Sequence, residues 1–356
     1  MFKQRIETIQ KELAKNEAFL VTSDVNRFYF TGFPSSAGGV LITASSAVLL
    51  IDFRYFEKAK ATVTGCEVQL SQRFDSEVLA LCRDAGVDSL YVEADSMSLS
   101  RFAALQAALE GVSVQNSARF DGITRDMRMI KTAEELACIR KAQEMTDAAF
   151  TYILDRIKPG RPEREIMLDM EFYMRSLGSE GVSFDFIVVS GKNSSLPHGV
   201  PTEKPVACGD FVTMDFGAVY HGYRSDMTRT VAVGEVSDRQ RQVYNTVLRA
   251  QLEAEKVIKA GVVCRDVDKV ARDIIYGAGF EGCFGHGLGH SIGLECHESP
   301  AFSPRCDTVL QAGTVMTVEP GIYLENQFGV RIEDMVYVTE TGSINLTASD
   351  KQLIVL

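Results

Sequence analysis

Long apolar runs, paired cysteines and an excess of basic charge are all missing from this chain. No apolar stretch in its 356 residues reaches the ~18 residues that span a bilayer. The opening MFKQRIETIQKELAKNEAFL alternates charged and apolar residues like a surface helix, without the apolar core and small-residue cleavage site of a leader. A cytoplasmic protein with no membrane partner is the expectation. A net charge of −11 argues against nucleic acid or an anionic membrane as the main partner, since both reward clustered Lys and Arg. A small molecule or a peptide suits it better. The eight cysteines (66, 82, 138, 208, 264, 283, 296 and 306) form no CxxC pair, and a chain of this size needs no disulfide staples. They read as mostly buried thiols, with Cys296 notable only as a neighbour of the site developed below. Histidine is absent until His198.

Two stretches repeat each other and carry two acids each: GDFVTMDFGAVYHGYRSDMT (Gly209 to Thr228) and GTVMTVEPGIYLENQFGVRIEDM (Gly313 to Met335). Asp215 answers to Glu319 and Asp226 to Glu333, with Arg224 and Arg331 two residues before the second acid. In strands, residues i and i+2 share a face, which pairs Thr213 with Asp215, Thr317 with Glu319, Arg224 with Asp226 and Arg331 with Glu333. Carboxylates aimed together at one interior need cations, because unpaired buried charge is too costly to keep. A metal site is implied.

A second repeat aligns IKPGRPEREIMLDMEFYMRSLG (157 to 178) with IKAGVVCRDVDKVARDIIYGAG (258 to 279) at an offset of 101. Each reads as loop, helix and glycine stop, so helices are duplicated together with the acid-bearing strands. A pseudo-twofold α+β domain follows, with strands at its centre and helices outside. Hydrophobic content of 46% with 24% charged residues fits a packed core, and ~150 residues per domain suggests two domains. The first part has strand candidates in AFLVTS, VLITA, AVLLIDF and SLYVEA and reads as a small α/β unit. Near Asp121 to Lys131 the pattern breaks, just before the capping box Thr132-Ala-Glu-Glu135 opens a helix running to about Arg156. The expected domains are residues 1–125 and 126–356.

All five histidines fall in the second domain. His198 lies in SLPHGVP; His286, His290 and His297 lie in GHGLGHSIGLECHESP; and His221, between Asp215 and Asp226, reads as a structural or solvated turn residue. Gly285, Gly287, Gly289 and Gly293 make a helix around His286 and His290 improbable on propensity. The segment reads as a strand or loop where backbone passes close to a ligand. It fails as a dinucleotide fingerprint, lacking the third glycine and the acidic ribose partner.

Asp215, Asp226, His290, Glu319 and Glu333, set in MDFG…SDMTRT, GHGLGHSIGLECHE, TVEPGIY and VRIED, resemble in order and spacing the five metal ligands of the pita-bread metallopeptidases, peptidase family M24. This is the family of methionine aminopeptidase, aminopeptidase P and prolidase. The resemblance covers about residues 126 to 356, and YFTGF with LLIDFRY suggests a creatinase/prolidase-type N-terminal domain. The fold it implies is a pseudo-twofold pita-bread catalytic domain behind a smaller α/β domain. It also implies two divalent cations bridged by Asp226 and Glu333, with His290 and Glu319 completing one and Asp215 the other. One imidazole and four carboxylates suit Mn²⁺, with Co²⁺, Fe²⁺ or Zn²⁺ as alternatives, and an ionised water is the implied nucleophile.

By the same resemblance His198 and His297 contact substrate and steady the oxyanion, and Glu319 doubles as proton shuttle. His286 and Arg331 resemble residues on the proline side, with a framework role for Arg331 equally open. Tyr323 is a candidate wall of that pocket or a core tyrosine. The two-domain layout resembles the Xaa-Pro branch, whose substrate is a peptide with proline second. Some prolidases place an arginine just after the HExP segment for the substrate carboxylate; Ala301 stands there, with Arg305 a possible substitute, which favours an aminopeptidase over a dipeptidase. A homodimer is implied as well. The rival readings are a metal-free creatinase-like hydrolase and a non-catalytic binding module, and the five intact ligand positions speak against both.

Overall fold

In the first unit, apolar segments separated by polar turns build a six-stranded mixed sheet. The computed structural model describes residues 1–356, which divide into Met1–Met127 and Arg128–Leu356. In the first, the order is α1 (Phe2–Glu12), β1 (Glu17–Val21), α2 (Asp24–Thr31), β2 (Gly39–Thr43), β3 (Ala47–Ile51), α3 (Phe53–Thr62), β4 (Glu67–Leu70), α4 (Phe74–Asp84), β5 (Ser89–Val92), α5 (Leu99–Ala108) and β6 (Ser113–Gln115). The sheet runs β4-β3-β2-β1-β5-β6. β1, β2 and β3 pair antiparallel, and the outer pairs are parallel. Ser23, Asp52 and Ser98 start α2, α3 and α5 by accepting a backbone N–H, which satisfies a donor no helical carbonyl can reach. The four strands expected from apolar runs are present. The two missed ones, β4 and β6, are sheet edges; β4 buries no residue fully, so it has no apolar run to read.

Helix α6 (Arg119–Met129) crosses the boundary. The second unit continues with α7 (Ala133–Leu154), α8 (Glu163–Ser176), β7 (Ile187–Ser190), β8 (Phe211–Phe216), β9 (Val219–Tyr220), β10 (Tyr223–Arg224), β11 (Met227–Ala232), α9 (Asp238–Val257) and α10 (Cys264–Gly277). It closes with β12 (Gly289–Ser291), β13 (Glu298–Phe302), β14 (Val315–Val318), β15 (Gly321–Leu324), β16 (Phe328–Arg331), β17 (Asp334–Val338) and β18 (Ser343–Asn345). The duplication is visible throughout. Both α7 and α9 open on reciprocal capping boxes, Thr132 with Glu135 and Ser237 with Gln240. α8 and α10 are each 14 residues long and start 101 positions apart.

Each half packs its helices on its own strands. Ala142, Phe150, Ile166 and Met170 meet Val188, Met214 and Val231 in one core, while Val243, Val247, Val267 and Ile275 meet Met316, Val318 and Val336 in the other. The strands form a three-stranded sheet, β11-β8-β7, and a five-stranded sheet, β13-β12-β14-β17-β18. The halves join edge to edge: Glu333 N–H donates to the Thr228 carbonyl at 3.0 Å, and Thr230 Oγ1 donates to the Arg331 carbonyl at 2.9 Å.

A buried ion cluster pins this seam. Arg229 Nη2 meets Asp334 Oδ1 at 2.6 Å with both side chains 1% exposed, and Lys351 pairs with the other Asp334 oxygen. Against the upward push of burial, Arg229 and Lys351 bring the Asp334 carboxyl down to about 2. Asp334→Asn leaves a buried guanidinium without its counter-charge, and such losses cost about 3–5 kcal/mol. Urea unfolding of the variant is expected to show a loss of that size.

Candidate metal centre and substrate cavity

Three of the four acids occupy places where strand pairing stops. Only Asp215 sits inside a strand, as the penultimate residue of β8; Asp226 precedes β11, Glu319 follows β14, and Glu333 falls between β16 and β17. The expected sharing of a face at i−2 holds for Thr213 with Asp215 inside β8, for Thr317 with Glu319, whose side chains hydrogen-bond at 3.3 Å, and for Arg331 with Glu333, which both line the cavity described below; it fails for Arg224 with Asp226. The β8–β11 ladder ends at Phe216 and Met227, and just beyond it the backbones run so close that an added Cβ at Gly217 would lie 1.9 Å from the Ser225 carbonyl oxygen. Arg224 turns elsewhere: its Nε donates to the Leu294 carbonyl at 3.0 Å, and Nη1 to the Ser183 carbonyl.

Crowding also explains the glycine-rich histidine segment. At Gly289 a Cβ would come within 2.0 Å of the Thr317 carbonyl oxygen. The backbone therefore passes close to the neighbouring strand, and Gly287 and Gly289 also line the cavity described below. This proximity lets Thr317 Oγ1 accept the His290 N–H at 3.0 Å. The same hydroxyl donates to Glu319 Oε1 at 3.3 Å. His290 Nδ1 faces the Ser291 carbonyl at 3.1 Å; protonated there, the ring turns its Nε2 lone pair toward the acids. That nitrogen is 3.4 Å from Glu319 Oε1 and 3.7 Å from Asp226 Oδ2.

Protein donors hold one oxygen of each remaining acid. Arg331 Nη2 donates to Asp215 Oδ2 at 2.5 Å, Cys296 Sγ to Asp226 Oδ2 at 3.3 Å, and Thr228 Oγ1 to Glu333 Oε2 at 2.7 Å. The other oxygens, Asp215 Oδ1, Asp226 Oδ1 and Glu333 Oε1, are buried with no partner. A buried acceptor left unmade is expensive; three together in one place fit hard divalent cations. Ligand atoms of Asp226, His290 and Glu333 lie within 4.8 Å of one another.

Electrostatics agree. Burial, then Asp215 and Glu319, raise the Asp226 carboxyl well above the usual range. Burial, then Asp226 and Glu319, do the same to Glu333. Burial, offset by Arg331 and reinforced by Asp215, pushes Glu319 up to about 8. Burial and then the neighbouring His297 lower His290 to about 4. Without cations these carboxyls bind protons more tightly than ordinary ones, and burial favours the neutral imidazole. Cys296 is pushed up by burial and by Asp226, so it is a hydrogen-bond donor and not a nucleophile.

These groups floor a cavity of about 460 Å³, walled by Phe184, Ile187, Pro197 and Ala301 and by His198, His286 and His297. Arg331 reaches its edge, but four contacts tie its guanidinium to the framework: Thr228 Oγ1, the Pro197 carbonyl, Tyr323 Oη and Asp215. His286 is likewise held, with Nδ1 2.8 Å from the Gly287 carbonyl and Nε2 2.9 Å from Tyr323 Oη. Burial, then Arg331, lowers it to about 4. Tyr323 stands behind His286 and Arg331 and not among the lining residues. His221, at φ 48° in the β9–β10 turn, stacks on Tyr220 outside the cavity.

Two buried acids that the sequence reading did not single out hold the histidine loops. Glu163 accepts from Ser190, Asn193 and Thr202 and so fixes the loop carrying His198. Glu298 accepts the Leu294 N–H at 3.0 Å, Arg128 at 2.5 Å and Lys131 at 3.0 Å, anchoring the turn that presents His297. One signal was available: at the 101-residue offset Glu163 faces Cys264, a mismatch of character at a buried repeat position.

The sequence matches Metallopeptidase family M24 over residues 137–340 and the Creatinase/Prolidase N-terminal domain over residues 5–130. The chain belongs to metallopeptidase family M24. It is similar to a solved Xaa-Pro dipeptidase from Bacillus anthracis, at 41% identity and TM-score 0.96 over 100% of both chains. It is also similar to a solved X-Pro aminopeptidase from Thermotoga maritima MSB8, at 38% identity and TM-score 0.91 over 98% of this chain and 100% of that one. A Pyrococcus horikoshii protein named Xaa-Pro dipeptidase is 37% identical over 354 residues, 99% of each chain. This M24 peptidase therefore has the pita-bread architecture behind a creatinase-type first domain. Its family implies divalent metal ions, and the unpartnered carboxylate oxygens suit them.

Proposed function

We propose that this M24 peptidase is an Xaa-Pro aminopeptidase, hydrolysing the bond before a proline in second position with the help of two divalent cations. Asp226 and Glu333 would be the shared ligands, with His290, Glu319 and Asp215 completing the set. Mn²⁺ suits this mostly oxygen donor set. The cations, once bound, supply an ionised water and polarise the scissile carbonyl. The remaining work belongs to the chain. Glu319 takes the proton of the attacking water and passes it to the leaving proline nitrogen. His198 and His297 hold the carbonyl oxygen as charge develops on it. Arg331 orients Asp215, and the apolar wall excludes water around the proline ring. Proline fixes its backbone and, as the second residue, offers no amide N–H, so a shaped apolar slot can select it. Relatives named for Xaa-Pro cleavage support this specificity.

The observation that carries aminopeptidase over dipeptidase is the missing counter-ion for a substrate carboxylate. Arg331, the one cationic side chain on the cavity wall, is committed to the framework; Ala301 is neutral, and Arg305 does not line the cavity. A dipeptide's C-terminal charge would lie there unpaired, whereas a longer peptide carries it outward. The names of the relatives in Bacillus anthracis and Pyrococcus horikoshii favour the dipeptidase as second reading. The expected result is that Mn²⁺-loaded protein releases the first residue from Xaa-Pro-Xaa at least ~10-fold faster than from Xaa-Pro, the size of a charge–charge contact of about 1.4 kcal/mol. Preference for the dipeptide would establish a prolidase. A homodimer, a cytoplasmic location and a division into a creatinase/prolidase-like domain, 1–125, and a catalytic domain, 126–356, complete the proposal.

A further inference from the structure

Cys296, a cavity-wall side chain that donates to Asp226 Oδ2, has a second set of neighbours. Its sulfur, a ring nitrogen of His290 and a ring nitrogen of His297 all lie within 4.8 Å of one another. The two imidazoles are tilted against each other with centroids 4.3 Å apart, and all three residues face the cavity. Sulfur with two imidazoles is the donor set of soft and borderline cations, while carboxylates prefer hard ones. Two donor sets of opposite softness therefore share His290. We propose that His290, Cys296 and His297 form a thiophilic cation site for Zn²⁺ or Cd²⁺, whose occupation withdraws both histidines from hydrolysis.

The geometry needs little change. With metal–sulfur bonds of ~2.3 Å and metal–nitrogen bonds of ~2.0–2.1 Å, ligand atoms on a tetrahedral centre lie roughly 3.3–3.6 Å apart. Closing the present spread of up to 4.8 Å takes at most about 1.2–1.5 Å, and His297, the exposed member of the three, has space around its ring. The cation takes the sulfur lone pair, the thiol proton leaves to solvent, and Asp226 loses the donor on its Oδ2. The fourth position stays open to water. The inhibitory consequence rests on the proposed peptidase reading; the capture of the cation does not.

The test uses the full Mn²⁺-loaded chain with exposed Cys208 replaced by Ser, compared with the same protein carrying Cys296→Ser. The serine keeps a hydroxyl donor for Asp226 and removes the soft ligand. Cd²⁺ titration is expected to give one equivalent of ultraviolet thiolate-to-cadmium absorption in the parent and none in Cys296→Ser. The Zn²⁺ concentration that halves Xaa-Pro hydrolysis should rise ~10–100-fold in the variant. An unchanged absorption band would overturn the site, and unchanged zinc inhibition would overturn its overlap with the hydrolytic centre. If the parent cleaves no Xaa-Pro peptide, the hydrolytic reading fails, and the absorption band alone decides the capture of the cation.

Discussion

Glu333→Gln is expected to reduce Xaa-Pro hydrolysis by well over the ~10–100-fold that losing an outer partner of a metal ligand costs. The carboxylate keeps Oε2 on Thr228 and leaves Oε1 buried without a partner, so its one unassigned atom is the one a cation would take. A neutral amide keeps the shape and loses the charge. The same substitution has the opposite sign in metal-free protein. There Glu333, Asp226 and Glu319 repel one another in a buried space, and all three carboxyls are raised. Groups with raised folded-state pKa contribute stability that is whole below the unfolded value and is lost as pH rises through the folded one. For Glu319 that loss spans ordinary 4.5 to about 8. His286 and His290, lowered from 6.5 to about 4, contribute stability present above 6.5 and lost as pH falls, so they are silent at neutral pH and above. Metal-free wild type should therefore lose thermal stability as pH rises from 6.5 to about 8, and Glu333→Gln should lose less. Calorimetry with and without Mn²⁺ checks both statements. A metal-free wild type with a flat profile would contradict the repulsion on which they rest.

His297→Ala should lower kcat about 100–1,000-fold, the usual effect of removing one oxyanion donor, while retaining the cations. His297 sits on the cavity wall beside His290, with ring centroids 4.3 Å apart, but it is not among the carboxylate contacts that build the centre. Its turn is held independently by Glu298 through Arg128 and Lys131, so truncation leaves the scaffold standing. Steady-state kinetics beside metal analysis separates the roles. Loss of metal in parallel with kcat would make His297 a ligand, not a substrate contact.

Much of the catalytic unit was legible in the sequence because its chemistry is concentrated in short motifs and repeated. The capping box at Thr132, the helices 101 residues apart and the gathering of Asp215, Asp226, His290, Glu319 and Glu333 all follow local patterns. What escaped was what depends on distant partners. Strand-face counting failed at Asp226 because the ladder ends at Phe216 and Met227, beside the close backbone approach at Gly217, and no periodicity reports a close approach between segments. Glu163 and Glu298 look like surface acids in sequence and become buried anchors only when their loops close around them. Arg331 was balanced between substrate and framework; its four contacts come from three separate stretches of chain, which only the fold brings together.

The central claim is that five side chains hold two divalent cations that hydrolysis requires, and metal stoichiometry measured beside activity tests it most directly. After stripping and reloading with Mn²⁺, the wild-type chain is predicted to carry two equivalents, with Xaa-Pro cleavage rising as they bind. Asp226→Asn is predicted to carry fewer and to be inactive. Full activity in the stripped protein, or an unchanged two equivalents in Asp226→Asn, would contradict the account.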